Sequence, residues 1–171
     1  MDLKQMIRNI PDFPKKGIMF RDITTALKDP AGLKASVDAV AESLEGIDYD
    51  IIIGPESRGF IFGVPLAYKM NKGFVPARKV GKLPAETAKI AYDLEYGQAE
   101  IEIHRDAIVP GSKIVLVDDL LATGGTAKAV ADLVTGLGAK VVGFSFLIEL
   151  DGLGGREALA GYDNIKSVLV Y

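Results

Sequence analysis

A chain of 171 residues, 49% apolar and 25% charged, is long enough to bury a substantial core and fits one globular domain. Its net charge of -3 excludes general affinity for nucleic acid, which depends on massed Lys and Arg. With no cysteine and only one histidine, His104, disulfides, thiolate metal sites and a cysteine nucleophile are excluded, and zinc-hydrolase or Ser-His arrangements are disfavoured.

The opening MDLKQMIRNI lacks the apolar centre of a secretion signal, and no apolar run reaches the roughly 18 residues of a membrane span. The sequence therefore reads as cytoplasmic, with neither membrane nor nucleic acid as a partner. LKQMIRNI has helical spacing and predicts a short first helix. PDFPKKGIMFRDITT, with two prolines and a glycine, predicts an irregular arm. Residues 31–45 predict a helix that ends at Gly46. YDIIIG is a short continuous apolar run, as a strand covered on both faces produces. SRGFIFGVPLAYKM reads as helix despite Pro65, and GFVPARK as strand.

The stretch VGKLPAETAKIAYDLEYGQ is polar and interrupted by Gly81, Pro84 and Gly97, and predicts a flexible loop. AEIEIHR alternates like a half-exposed strand, which puts His104 at the surface. A strand over 113–118, a helix over about 125–137 and the strand KVVGFSFLIEL follow Pro110-Gly111. A short helix GREALAG and the strand IKSVLVY close the chain. Strands separated by helix-length segments imply right-handed βαβ units, hence an α/β fold with a mostly parallel twisted sheet and helices on both faces. The expected organisation is a single domain over 1–171, with an N-terminal arm or hood at about 1–30 and a flexible catalytic loop at about 80–103. Ligands of such folds gather at the carboxyl ends of the strands.

The run KIVLVDDLLATGGTAKAV joins a buried strand to a helix through two aspartates and a Thr-Gly-Gly-Thr turn. The strand pattern implies that Asp118 and Asp119 leave the sheet at its carboxyl end. Thr123, Gly124, Gly125 and Thr126 open the helix, where free N–H groups and the helix dipole favour a phosphate. No Lys precedes Thr126, so the P-loop pattern fails, and no G-x-G-x-x-G opens a strand–helix junction. A phosphate at one end and hydroxyls in need of acceptors at the other describe a 5-phosphoribosyl group.

At these residues the chain resembles the type I phosphoribosyltransferases, through the phosphoribosyl pyrophosphate (PRPP) signature VLVDDLLATGGT. From about Ile10 to the end it resembles the adenine phosphoribosyltransferases, through PDFPKKGIMFRDIT, GPESRGFIFG, RKVGKLP, YDLEYGQAEIEIHRDAI and VDDLLATGGT. The resemblance implies transfer of the phosphoribosyl group of PRPP to N9 of adenine, giving AMP and pyrophosphate, with Mg2+ held mainly through PRPP and water. It implies that Asp118 and Asp119 hold the ribose hydroxyls and that Ala122, Thr123, Gly124, Gly125 and Thr126 cradle the 5′-phosphate. By the same resemblance Arg58, Arg78 and Lys82 hold pyrophosphate, and Met19, Phe20 and Arg21 lie against adenine. Glu95 serves N7 of the base, and Tyr96 orders the loop. Ala122 stands where the 6-oxopurine enzymes carry aspartate, which favours adenine. A homodimer is implied, with Arg78 reaching towards a neighbouring subunit. The competing readings are a phosphoribosyltransferase for another purine and a regulator that binds PRPP without turning it over.

Overall fold

The computed structural model describes residues 2–94 and 97–171. The chain divides into two compact units, residues 1–39 and 40–171.

In the first unit Asp2 caps a single helical turn, α1 (Leu3–Met6), by accepting the N–H of Lys4 at 3.0 Å. The helix expected over LKQMIRNI stops there. β1 (Arg8–Pro11) and β2 (Met19–Asp22) pair antiparallel, from Arg8 opposite Asp22 to Pro11 opposite Met19. The stretch read as an irregular arm thus contains a strand pair. These strands bury little apolar surface, so they carry no alternating signal. Polar contacts hold them instead, with Arg8 donating to Asp22. α2 (Thr24–Leu27) and the start of α3 (Pro30–Ser43) follow. Gly32 is needed for close packing here, since a Cβ would lie 2.6 Å from the carbonyl oxygen of Ala26.

In the second unit, seven strands among the described residues form one sheet. They are β3 (Ile51–Pro55), β4 (Gly73–Lys79), β5 (Thr87–Asp93), β6 (Gln98–His104), β7 (Lys113–Leu121), β8 (Lys140–Glu149) and β9 (Ile165–Val170). The order is β5-β6-β4-β3-β7-β8-β9. The five strands from β4 to β9 are mutually parallel, while β5 and β6 run antiparallel at one edge. Helices α4 (Arg58–Met70) and α5 (Gly125–Gly136) are the main crossovers, and α6 (Gly155–Ala158) is one turn.

Strand alternation assigns the two faces. Ile53, Ile114 and Leu116 cluster with Val130 and Val134 of α5. Ile52, Val115 and Val117 are also fully buried and point the other way, on the strands against which α4 packs. From β3 the chain moves through α4 to one side, and from β7 through α5 to the other. Right-handed crossovers in opposite directions put the two helices on opposite faces and leave a switch point between the carboxyl ends of β3 and β7.

The segment read as a polar, interrupted loop carries β5, which pairs with β6 over seven residues, from Thr87 opposite His104 to Asp93 opposite Gln98. One expectation for the sheet is corrected. The strand expected to end at residue 118 continues to Leu121, because β8 is ten residues long and keeps pairing with it as far as Glu149. No helix among the described residues is long and apolar enough to cross a membrane.

Candidate active site

The switch point brings two backbone turns together. After β3, α4 begins at Arg58 and lies so close to β7 that a Cβ on Gly59 would meet the carbonyl oxygen of Val117 at 3.0 Å and Oδ1 of Asp118 at 3.2 Å. After β7, Gly124 caps α5 with φ at +81°, a conformation in which glycine has no Cβ penalty. A Cβ there would also strike the carbonyl oxygen of Gly155 at 2.8 Å. The N–H of Lys128 makes the first helical bond, to the carbonyl of Gly124 at 2.9 Å. The earlier N–H groups of the turn remain for a ligand.

A cavity of about 190 Å³ is bounded by Arg58, both aspartates and the run from Leu120 to Ala127. It therefore unites Arg58, Asp118, Asp119, Ala122, Thr123, Gly124, Gly125 and Thr126. The two aspartates lie within the last four residues of β7 rather than beyond it. Asp119 is buried, its side chain 4% exposed, and its Oδ2 lies 3.1 Å from Nε of Arg58. Asp118 accepts the N–H of Asp119 at 2.8 Å. Burial pushes the carboxyl of Asp118 well above the usual range, and the neighbouring charge of Asp119 adds to it. Burial also raises Asp119, although Arg58 opposes the shift. Sugar hydroxyls can donate to carboxylates held in this way.

Arg78 and Lys82 lie outside that cavity. Arg78, at the end of β4, donates from Nε to Oε2 of Glu56 at 3.1 Å and from Nη2 to Oε1 at 3.4 Å. Its remaining amino group donates to the carbonyl of Lys82 at 3.3 Å. Glu56 also accepts the N–H of Lys79 at 3.1 Å. Its carboxyl is held below its ordinary value, first by the hydrogen bond from Arg78. Arg78 is thus engaged within its own chain, with part of its guanidinium donor set unused among the described residues. Lys82 is exposed in the turn that follows.

A larger cavity, about 590 Å³, lies between this region and the β5–β6 hairpin. Glu56, Lys79, Tyr92 and Thr126 line it together with apolar residues that include Val80 and Leu94. Thr126 donates to the hydroxyl of Tyr92 at 3.4 Å, so the hairpin reaches the turn that opens α5. Sequence reading missed Glu56 and Tyr92. The alternation of Ala88, Ile90 and Tyr92 was the available signal for the strand that carries Tyr92.

Met19, Phe20 and Arg21 belong to the first unit, on β2. Met19 is exposed, Phe20 packs edge-on against Phe13 at 5.1 Å, and Arg21 donates to Asn9. Glu95 and Tyr96 lie outside the described residues. His104, expected at the surface, is half-buried, and its Nε2 accepts the N–H of Ala85 at 3.3 Å.

Among the described residues no group of three or more His, Asp or Glu side chains could cage a metal ion. The donors present are carboxylate oxygens beside an open polar cavity. That set suits a hard divalent ion that keeps water and takes its other oxygens from a substrate.

A model of the phosphoribosyl transferase domain matches residues 24–167. The chain is 57% identical over 169 residues to the adenine phosphoribosyltransferase of Lachnoclostridium phytofermentans, covering 99% of this chain and 97% of the relative. The crystal structure of the Thermoanaerobacter pseudethanolicus adenine phosphoribosyltransferase superposes with a TM-score of 0.95 at 54% identity, covering 99% of this chain and 98% of that one. The Saccharomyces cerevisiae enzyme, crystallised with adenine and an imino-altritol bisphosphate, superposes with a TM-score of 0.90 at 40% identity, covering 97% and 96%. An acid pair and a glycine turn facing one cavity at the switch point, on a chain similar to these proteins over nearly its whole length, place it in the adenine phosphoribosyltransferase family.

Proposed function

We propose that this chain is a purine-salvage enzyme that transfers the 5-phosphoribosyl group of PRPP to N9 of adenine, giving AMP and pyrophosphate. The observation that carries this reading is the single cavity in which Asp118 and Asp119 sit with the free N–H groups of the Gly124–Thr126 turn. The carboxylates accept the ribose 2′- and 3′-hydroxyls, and the turn from Ala122 to Thr126, at the positive end of α5, takes the 5′-phosphate. Arg58 leaves Asp119 a donor short when it swings towards pyrophosphate, and the ribose hydroxyls make good that loss. Lys82 and the spare donors of Arg78 hold the far end of the leaving group.

In the transfer, the bond from C1 to the pyrophosphate oxygen breaks and its electron pair leaves on pyrophosphate. The lone pair of N9 forms the new bond to C1. The base enters with its proton on N7, and Glu95 accepts that proton. Asp118 and Asp119 stabilise positive charge on the sugar as the bond breaks. Mg2+, when bound, neutralises pyrophosphate oxygens, held through PRPP and water rather than a protein cage. Met19, Phe20 and Arg21 contact adenine, and Tyr96 orders the segment around Glu95. The enzyme works in the cytoplasm as a homodimer.

The test supplies protein, Mg2+ and PRPP with adenine, hypoxanthine, guanine or xanthine in separate reactions. Nucleotide from adenine alone is expected, and Glu95→Ala should cut turnover by ~10²–10⁴-fold while PRPP still binds. Binding of PRPP with no nucleotide from any base would overturn the enzyme reading and favour a PRPP-binding regulator.

A further inference from the structure

The strand β6 carries a carboxylate where its alternation predicts a solvated one. Glu102 is 3% exposed, and its Oε1 accepts three consecutive backbone N–H groups, from Gly81 at 3.0 Å and from Lys82 and Leu83 at 3.2 Å each. The turn so gripped is closed by the N–H of Lys82 on the carbonyl of Lys79 at 3.3 Å, with Gly81 at φ +86°. Burial pushes the carboxyl of Glu102 up, but bonds from the N–H of Leu83, the hydroxyl of Thr87 and the N–H groups of Gly81 and Lys82 outweigh it and hold it below its ordinary value.

An exposed turn can give its N–H groups to water at no cost. Here they are withdrawn from water and fixed on a buried charge, an arrangement in which each bond is charge-assisted. The turn buries little in return, for Gly81 and Lys82 are both exposed and Leu83 is only half-buried. Its rigidity therefore serves what it displays outward. The three N–H groups also screen the negative charge of Glu102 from a polyanion on the other side of the turn.

We propose that Glu102 is a positioning residue for the pyrophosphate end of PRPP, setting the direction in which Lys82 meets the substrate. This rests on the assignment of Lys82 to pyrophosphate in the reading above. Glu102 also connects the two ends of the site. It stands opposite Arg78 in the β4–β6 ladder, and its strand pairs with β5, whose Tyr92 touches Thr126.

The experiment is a double-mutant cycle of Glu102→Ala and Lys82→Ala, read as KM for PRPP, KM for adenine and kcat, with thermal melting to confirm folding. Glu102→Ala should raise KM for PRPP about tenfold, the loss of one charge-assisted hydrogen bond, and leave KM for adenine within about twofold. Lys82→Ala should weaken PRPP in the native background and add little in the Glu102→Ala background, because a misdirected lysine has little left to lose. Glu102→Gln keeps an acceptor oxygen and should fall between. If Glu102→Ala does not fold, the same cycle on Glu102→Gln decides. Effects that multiply would overturn the inference while leaving Lys82 at pyrophosphate. No effect of Lys82→Ala in the native background would overturn that assignment, and the inference with it.

Discussion

Nε of Arg58, the first residue of α4, lies 3.1 Å from Oδ2 of Asp119 in β7. The contact spans the switch point and puts the one cation among the described residues of the smaller cavity on Asp119, the less exposed of the two acids. Arg58 opposes the upward shift that burial gives Asp119. Its removal therefore raises the pH at which Asp119 ionises. Since the ribose hydroxyls need ionised acceptors, the acidic limb of kcat/KM for PRPP should move to higher pH in Arg58→Ala. An unmoved limb would mean that Asp119 does not act as an ionised acceptor. Asp119→Asn should lower kcat/KM for PRPP by roughly 10- to 100-fold.

Gly155 is a second point at which the turn from Ala122 to Thr126, proposed to take the 5′-phosphate, can be disturbed. A Cβ there would meet the carbonyl oxygen of Ala122 at 2.5 Å and Cγ of Leu121 at 2.8 Å. Backbone on one side and a buried side chain on the other leave no easy relief. Gly155→Ala should cost about 1–3 kcal/mol of stability by overpacking, measured by urea unfolding. It should also raise KM for PRPP more than KM for adenine.

Asp22 governs acid stability in the first unit. Its carboxyl is lowered to about 2, first by hydrogen bonds from the side chain and N–H of Thr24 and then by Arg8. A folded-state value below the unfolded one of about 4 stabilises the fold above pH 4. That contribution disappears as the pH falls through the folded value. Its size is about 1–2 kcal/mol, since Arg8 is half-exposed and screened by solvent. Asp22→Asn should flatten the loss of stability between about pH 4 and 2 in a melting series.

What the sequence made legible follows from where apolar residues dominate. IIIG, IVLV and GFSFLI form strands near the expected bounds because a sheet covered on both faces demands continuous apolar runs. The PRPP signature was legible because paired acids, glycines and threonines lie side by side in sequence. Glu102 was not. Glu and Ile alternate in β6, which suggests one wet face, yet a turn more than fifteen residues earlier covers that face. Glu56 was lost among loop polar residues, because its partner Arg78 lies on the neighbouring strand. β1 and β2 escaped because they are short, carry prolines nearby and owe their pairing to an ion pair rather than to apolar burial.

The β5–β6 hairpin holds seven residue pairs within itself but meets the rest of the sheet through two, Arg78 with Glu102 and Lys79 with Ile101. Beyond that ladder the hairpin is held by packing against α5, and we expect it to open as a cooperative unit without unfolding the whole. Amide protons of Ala88, Ile90 and Ile103 should therefore exchange with deuterated solvent together, and faster than those of Ile53 and Leu116 in the central strands. If PRPP grips both Lys82 and Thr126, as proposed, it should slow that group most of all. The rate at which the hairpin lets go would then limit how quickly products escape.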